Sequence, residues 1–271
     1  MRQLDERSEQ FRIMDKKRFF RRWKRQYLRG LKAVERHLAA CRKTGSAEAV
    51  HQLRVAIRRT RLLASIGRPA IGRERALECR AWSQRVADAL SPVRDYDVMI
   101  EWAAEACQDA QFVRELQADR KEAWQEARKA LRKAIRASWG KLRNLDTGAK
   151  TRRKLAARYK EVASTTRDVI DMEAACFERL DSTARHDFRR AVRRLRYLAE
   201  LNNRPERLEA LGKLQGGLGE LQDAQTVKDL LQKGRNHVGR RPKLIRRVKE
   251  QESEWFTRCR RSLRSVLKLG N

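Results

Sequence analysis

The chain is poor in the residues that break or staple a fold. Among 271 residues there are four prolines and 13 glycines. That scarcity excludes collagen-like and proline-rich chains, and it weighs against sandwiches and barrels, which need many tight turns. The five cysteines, Cys41, Cys79, Cys107, Cys176 and Cys259, are odd in number, widely spaced and form no CxxC pair. They read as reduced thiols packed like small hydrophobes rather than as a disulfide framework or zinc site. No uncharged apolar run approaches the ~18 residues of a membrane span, and the N-terminal MRQLDERSEQ has no apolar core of a secretory signal. A soluble cytoplasmic protein is the expectation. Aromatic residues make up only 6%. Acidic residues are scarce relative to basic ones, 35 against 66, which leaves a formal charge of +31.

A body so charged repels itself, and the excess makes most sense beside a polyanion. Nucleic acid, an anionic membrane surface, acidic protein and inorganic polyphosphate all fit the composition. The hydrophobic fraction of 41% is enough for a core, so the chain is not a disordered basic tail.

Apolar residues recur at three- and four-residue steps nearly throughout, so an all-α fold of about eight to ten helices is predicted. Thr44-Gly45-Ser46 separates the first two helices, with Ser46 as N-cap of the second. Gly67, Pro69 and Gly72 end that second helix. Ser91-Pro92 starts another, with proline at its first position. Gly140 and the stretch 144–148 mark the middle. Asn202, Asn203 and Pro205 end a later helix, Gly216, Gly217 and Gly219 interrupt the next, and Gly239 to Pro242 precede the last. Between about Gln111 and Leu180 two long amphipathic helices are predicted. In them Trp124, Leu131 and Ile135 share one side, while Lys121, Arg128, Arg132 and Arg136 lie elsewhere, as on a solvated face.

The sharpest feature is an internal repeat. Residues 51–61 read HQLRVAIRRTR and residues 186–196 read HDFRRAVRRLR. Both fit H-x-x-R-x-x-x-R-R-x-R, with Leu53 matched by Phe188 and Ile57 by Val192, at an offset close to half the chain. Each copy is followed by a related segment, LSPVRDYD at 90–97 and LGELQDAQ at 218–225, which aligns Asp95 with Asp223. The chain therefore reads as one domain over 1–271 built by duplication, with an N-terminal half at 1–140 and a C-terminal half at 141–271.

Helical geometry gives the repeat its meaning. At about 100° per residue, His51, Arg54, Arg58 and Arg61 fall on one stripe, beside an apolar face of Leu53, Ala56, Ile57, Thr60 and Ala64. His186, Arg189, Arg193 and Arg196 form the same stripe beside Phe188, Ala191, Val192, Leu195 and Ala199. Arg59 and its repeat mate Arg194 lie apart, as supporting cations. Like charges stacked three and four residues apart destabilise a helix by a few tenths of a kcal/mol per pair. A bridging anion explains that cost, and guanidinium grips phosphate oxygens with two donors at once. If the stripes face each other they line a shared groove. A histidine beside an apolar face is ordinarily structural, but His51 and His186 fill the same slot twice. Asp95 and Asp223 have two readings: they hold stripe arginines by charge-assisted hydrogen bonds, or they cap helices. His37 and His237 have no such context.

Enzymatic phosphate chemistry needs clustered carboxylates for a metal or a phosphate-cradling loop. The sequence has no G-x-x-x-x-G-K-[ST], G-x-G-x-x-G or HExxH, and Asp95 with Asp97 is a thin basis for a metal site. No enzyme, cofactor or metal is predicted.

VHQLRVAIRRTR, L-x-x-x-R-D-x-D, RHDFRRAVRRLRYLAEL and the GELQD segment at 219–223 resemble, in this order, the CHAD family, the conserved-histidine α-helical domain. The resemblance spans roughly Phe20 to Leu267. It implies two helical bundles related by a pseudo-twofold axis around a basic central groove or pore. It also implies binding of inorganic polyphosphate without catalysis, in some members at polyphosphate or polyester granules. The family histidines match His51 and His186, and the basic positions match Arg54, Arg58, Arg61, Arg189, Arg193 and Arg196. Gln222-Asp223 replaces Arg94-Asp95 in the second half, so weaker binding is expected there. No fused triphosphate-tunnel domain is evident. The alternative is a nucleic-acid-binding basic helical protein, although aromatics interleaved with the basic stripe, which single-strand readers use, are missing apart from Tyr197.

Overall fold

A computed structural model describes residues 15–106, 109–134, 139–202, 205–233 and 242–268. Cys107, Ile135, Arg136, Asn203, His237 and Gly239, all singled out in the sequence, lie outside the described residues. The described residues form eleven α-helices: α1 (Lys16–Thr44), α2 (Ala47–Ile66), α3 (Arg68–Ile71), α4 (Arg73–Ala89), α5 (Ser91–Ala106), α6 (Ala110–Ala134), α7 (Trp139–Leu142), α8 (Ala149–Ala175), α9 (Ser182–Asn202), α10 (Pro205–Lys233) and α11 (Pro242–Lys268). The count exceeds eight to ten because α3 and α7 are single turns of four residues, too short for periodicity to reveal.

Local chemistry sets the helix ends. The Asp15 carboxylate accepts from the Lys17 amide at 2.7 Å and caps α1. Gly45 ends α1 in the left-handed region at φ 59°, donating its N–H to the Cys41 carbonyl. The Ser46 hydroxyl then accepts from the Ala49 amide at 3.2 Å and starts α2. Helix α5 begins at Ser91-Pro92, as the sequence predicts.

One expectation fails: Gly216, Gly217 and Gly219 do not interrupt α10, which runs unbroken from Pro205 to Lys233. A Cβ on Gly217 would stand 2.8 Å from Cys259 Sγ, and one on Gly219 3.8 Å from Arg189 Nη2. Gly217 lets α11 come close, whereas a side chain at Gly219 would meet Arg189 at ordinary van der Waals distance. The long register of α10 outweighs the weak helix propensity of the three residues.

The halves repeat one order: α1, α2, the broken pair α4–α5, and α6 are followed by α8, α9, α10 and α11. Each half has a core of its own. Leu53, Ile57, Trp82, Leu90 and Leu131 build one, and Phe188, Val192, Leu214, Cys259 and Leu263 the other. Two further cores join the halves. In the first, Trp23, Tyr27 and Leu31 of α1 pack with Leu155 and Tyr159 of α8 and with Leu198 and Leu201 of α9. In the second, Met99 and Trp102 of α5 pack with Val227 and Leu231 of α10 and Val248 of α11. Fully burying each large side chain contributes about 1.5–3 kcal/mol. The buried polar tips are satisfied: Trp23 Nε1 donates to the Leu63 carbonyl at 2.9 Å, and Trp102 Nε1 to Gln251 Oε1 at 2.8 Å. The shared cores therefore set α2 near α9, by way of α1 and α8, and pack α5 against α10. Among the described residues no helix is long and apolar enough to cross a membrane. The described cysteines are free thiols, with Cys41, Cys79 and Cys259 buried.

The glycine assignment is testable by denaturant unfolding. Gly217→Val is expected to destabilise the protein by about 1–3 kcal/mol through overpacking against Cys259. Gly216→Ala, whose Cβ would meet nothing within 4 Å, should stabilise it by about 0.5–1 kcal/mol.

Candidate functional site

Helices α2 and α9 bury the faces that the wheel assigns to the core. Leu53, Ala56, Ile57, Thr60 and Ala64 are buried on α2, as are Phe188, Ala191, Val192, Leu195 and Ala199 on α9. Their arginines stand at the edge of those faces. Arg54, Arg58, Arg61, Arg189, Arg193 and Arg196 are all half-buried.

The two rows come within electrostatic reach of each other across the halves. Burial depresses Arg58, Arg189 and Arg193, and neighbouring guanidinium groups depress them further. Arg189 and Arg193 of α9 both feel Arg58 of α2, and Arg54 feels Arg58, Arg94 and Arg189. Arg54 is pushed down to about 10 and Arg193 to about 9. Both remain cationic at neutral pH, so the free protein holds unrelieved repulsion there. Part of it is offset. Arg54 Nη1 donates to the Ala87 carbonyl at 2.9 Å, near the electronegative end of α4. Asp95 acts on Arg54, Asp223 on Arg189, and Tyr197 on Arg58 and Arg193. The Nε groups of Arg58, Arg189 and Arg196 are buried and find no hydrogen-bond acceptor in the protein, and the same holds for Arg158 of α8 outside the cluster. A buried unpaired donor costs about 1–3 kcal/mol, more when charged.

Asp95 and Asp223 do not cap helices. No acidic residue lies in the first turn of α5, and Asp223 sits well inside α10. Both stand among the arginines. Burial raises Asp223 while Arg189 and Arg94 oppose that rise. Asp97, the other carboxylate of the RDxD segment, is buried and paired with Arg120, whose Nη2 also donates to the Gly45 carbonyl at 2.8 Å. It braces the α1–α2 turn. No group of three or more potential metal ligands occurs among the described residues.

The histidines differ. His51 is half-buried and held below its usual range by burial, then by Arg94, Arg58 and Arg54, against Glu48. His186 is exposed, with Nδ1 2.7 Å from Gln222 Oε1.

The ends of the two rows diverge. Arg196 is drawn toward an acid without hydrogen-bonding it. Its Nε lies 3.8 Å from Glu200 Oε1, and its guanidinium lies 5.5 Å from the Tyr197 ring centroid. Arg59 crosses from α2 to the same Glu200 and covers Tyr197 at 5.1 Å. Arg59, Arg196, Tyr197 and Glu200 thus make a clasp between the halves. Arg61, the repeat mate of Arg196, instead donates to Gln84 Oε1 at 2.8 Å and faces Arg190, Arg80 and Arg194. Three cations that stripe reasoning left out join the site: Arg94, Arg80 and Arg190. Arg94 was visible in the RDxD segment. Arg80 had no motif to announce it.

The model of the CHAD domain matches residues 25–232. This chain belongs to the CHAD domain family. Two solved structures share its fold. The CHAD domain from the plant Ricinus communis covers 90% of this chain and 91% of its own at 17% identity, with a TM-score of 0.61. PptA from Streptomyces chartreusis covers 92% and 97% at 15% identity, with a TM-score of 0.57. No curated protein matches the sequence.

Repulsion within the CHAD arginine cluster gives a pH signature. A base whose folded pKa is depressed destabilises the fold fully below that pKa, and the penalty is relieved as pH rises through it. Arg193→Met is therefore expected to raise stability at pH 7 by about 1–2 kcal/mol relative to wild type, with the gain shrinking as pH rises through about 9. Paired thermal melts across that range check it.

Proposed function

We propose that this CHAD domain binds inorganic polyphosphate, without catalysis, between the arginine rows of α2 and α9. The observation that carries the reading is the pair of buried, acceptor-less Nε groups of Arg58 and Arg189, one from each half, within a cluster of mutually repelling cations. An unbranched chain of phosphates supplies acceptors and negative charge to both rows at once. His51, Arg54, Arg58, Arg94, His186, Arg189 and Arg193 are the contacts, Arg61 lies at one rim, and Arg196 acts through the clasp. The two carboxylates at the centre, Asp95 and Asp223, are engaged with arginines, which suits a receptor better than a catalyst. Residence at polyphosphate or polyester granules, which the family resemblance implies, belongs to the same proposal.

Nucleic acid is disfavoured by one feature. The aromatic side chain within the cluster, Tyr197, is buried and covered by Arg59 and Arg196. It offers no free face for a base, whose stacking is worth about 1–3 kcal/mol.

Replacing Arg54, Arg58, Arg189 and Arg193 together with alanine is expected to lower polyphosphate affinity at least about a hundredfold while the fold survives. Competition with single- and double-stranded nucleic acid at matched salt completes the test. Retained affinity in the variant, or displacement of polyphosphate by nucleic acid at equal concentration, refutes the reading.

A bound phosphate chain favours protonated imidazole, which His51 resists in the free protein. Affinity should therefore rise from pH 8 to pH 6, by about tenfold for each unit by which the bound chain raises the His51 pKa. The double variant His51→Ala/His186→Ala should be flat across that range. Equal wild-type affinities at both values would remove the histidines from the site.

A further inference from the structure

We infer that the N-terminal half carries a second phosphate-chain site, outside the cluster between α2 and α9. It is a cleft between the C-terminal end of α1 and the face of α6, lined by Ala39, Arg42, Lys43, Arg128 and Arg132. The inference rests on the polyphosphate reading and extends it to a longer stretch of the polymer.

All four cations are exposed, and none makes an ion pair or a side-chain hydrogen bond among the described residues. Arg42 and Lys43 alone suit the negative end of the α1 dipole. Arg128, a full turn further from the end of its helix, has no such reason to stand beside Arg132. They stand four residues apart, where like charges are unfavourable, and no acid lies four residues from either. An ordinary solvated face intersperses signs, as Glu126 and Lys129 do nearby on α6.

The matching corner of the second half shows that the fold does not require these charges. Buried Ala127 and Leu131 of α6 correspond to buried Cys259 and Leu263 of α11, which aligns Arg128 with Arg260 and Arg132 with Arg264. Tyr27 and Tyr159 align α1 with α8 at the same offset, which places Ala174 and Ala175 opposite Arg42 and Lys43. There Arg260 pairs with Glu178 at 3.0 Å, and Phe177 stacks on Phe256 at 5.0 Å. In that corner Arg260 is neutralised and two alanines stand where the first half has Arg42 and Lys43; the first-half corner gathers four cations without an ion pair among the described residues.

The cleft is also well placed. Only Gly45 and Ser46 separate α1 from α2, whose second turn carries His51. His51 and the Arg42–Lys43 pair thus flank the same two-residue turn. Two linked sites on one chain gain affinity through effective concentration, a gain that a short ligand filling one site does not feel.

The test compares long-chain polyphosphate with tripolyphosphate on the full-length protein and on a variant with Arg42, Lys43, Arg128 and Arg132 changed to alanine. A matched melting temperature verifies the fold. The variant is expected to bind the long polymer at least about tenfold more weakly and tripolyphosphate unchanged. Arg260→Ala/Arg264→Ala in the second half should change neither. Unchanged long-chain affinity overturns the inference, as does a loss confined to duplex nucleic acid or anionic vesicles. If the variant lacking Arg54, Arg58, Arg189 and Arg193 keeps full affinity while the cleft variant loses it, the central reading fails and the outer site stands.

Discussion

Positive charge that the protein does not neutralise, held half-buried between two packed halves, is the constraint around which this CHAD domain is organised. Arginines 54, 58, 189 and 193 are drawn partly out of water and set against one another. Nothing in the local helices favours that arrangement. It persists because the apolar faces next to it are fixed from outside: Leu53 and Ile57 on one helix, Phe188 and Val192 on the other, and the two shared cores that tie α1 to α8 and α5 to α10. Stability is supplied by those cores, and part of it is given up at the arginine cluster.

The duplication is approximate, and the differences follow chemistry. The first half puts Arg94 where the second has Gln222, so its end of the cluster carries more charge, depresses His51 and adds to the field on Arg189. In the second half Gln222 engages His186 instead. Toward the other end, Glu200 draws Arg59 and Arg196 into a clasp with Tyr197, while Arg61 is left facing Arg80, Arg190 and Arg194. A polymer across the site would thus meet a graded surface rather than two identical ones.

Much of this was legible in the sequence because it is local. The stripe from His51 to Arg61 and its apolar neighbour follow from helical periodicity, and the repeated motif implied a partner stripe. The Thr44-Gly45-Ser46 turn and the Ser91-Pro92 start follow from backbone chemistry that one or two residues dictate. What stayed hidden depends on residues distant in sequence. Glu200 captures Arg59 only because α2 and α9 meet there. Arg80 joins the rim because α4 lies beside α2. Gly217 reads as a break until Cys259 of α11 is seen to need its missing side chain. Arg128 and Arg132 read as a solvated face until α1 brings Arg42 and Lys43 opposite them.

The central claim concerns where the polymer lies, so the most direct measurement is a crystal structure of the protein with linear polyphosphate bound. The account predicts phosphate oxygens between α2 and α9, within hydrogen-bond distance of Arg58 and Arg189 and touching guanidinium groups from both halves. A polymer bound only on outer helix faces, with those arginines unmoved and unliganded, would contradict it.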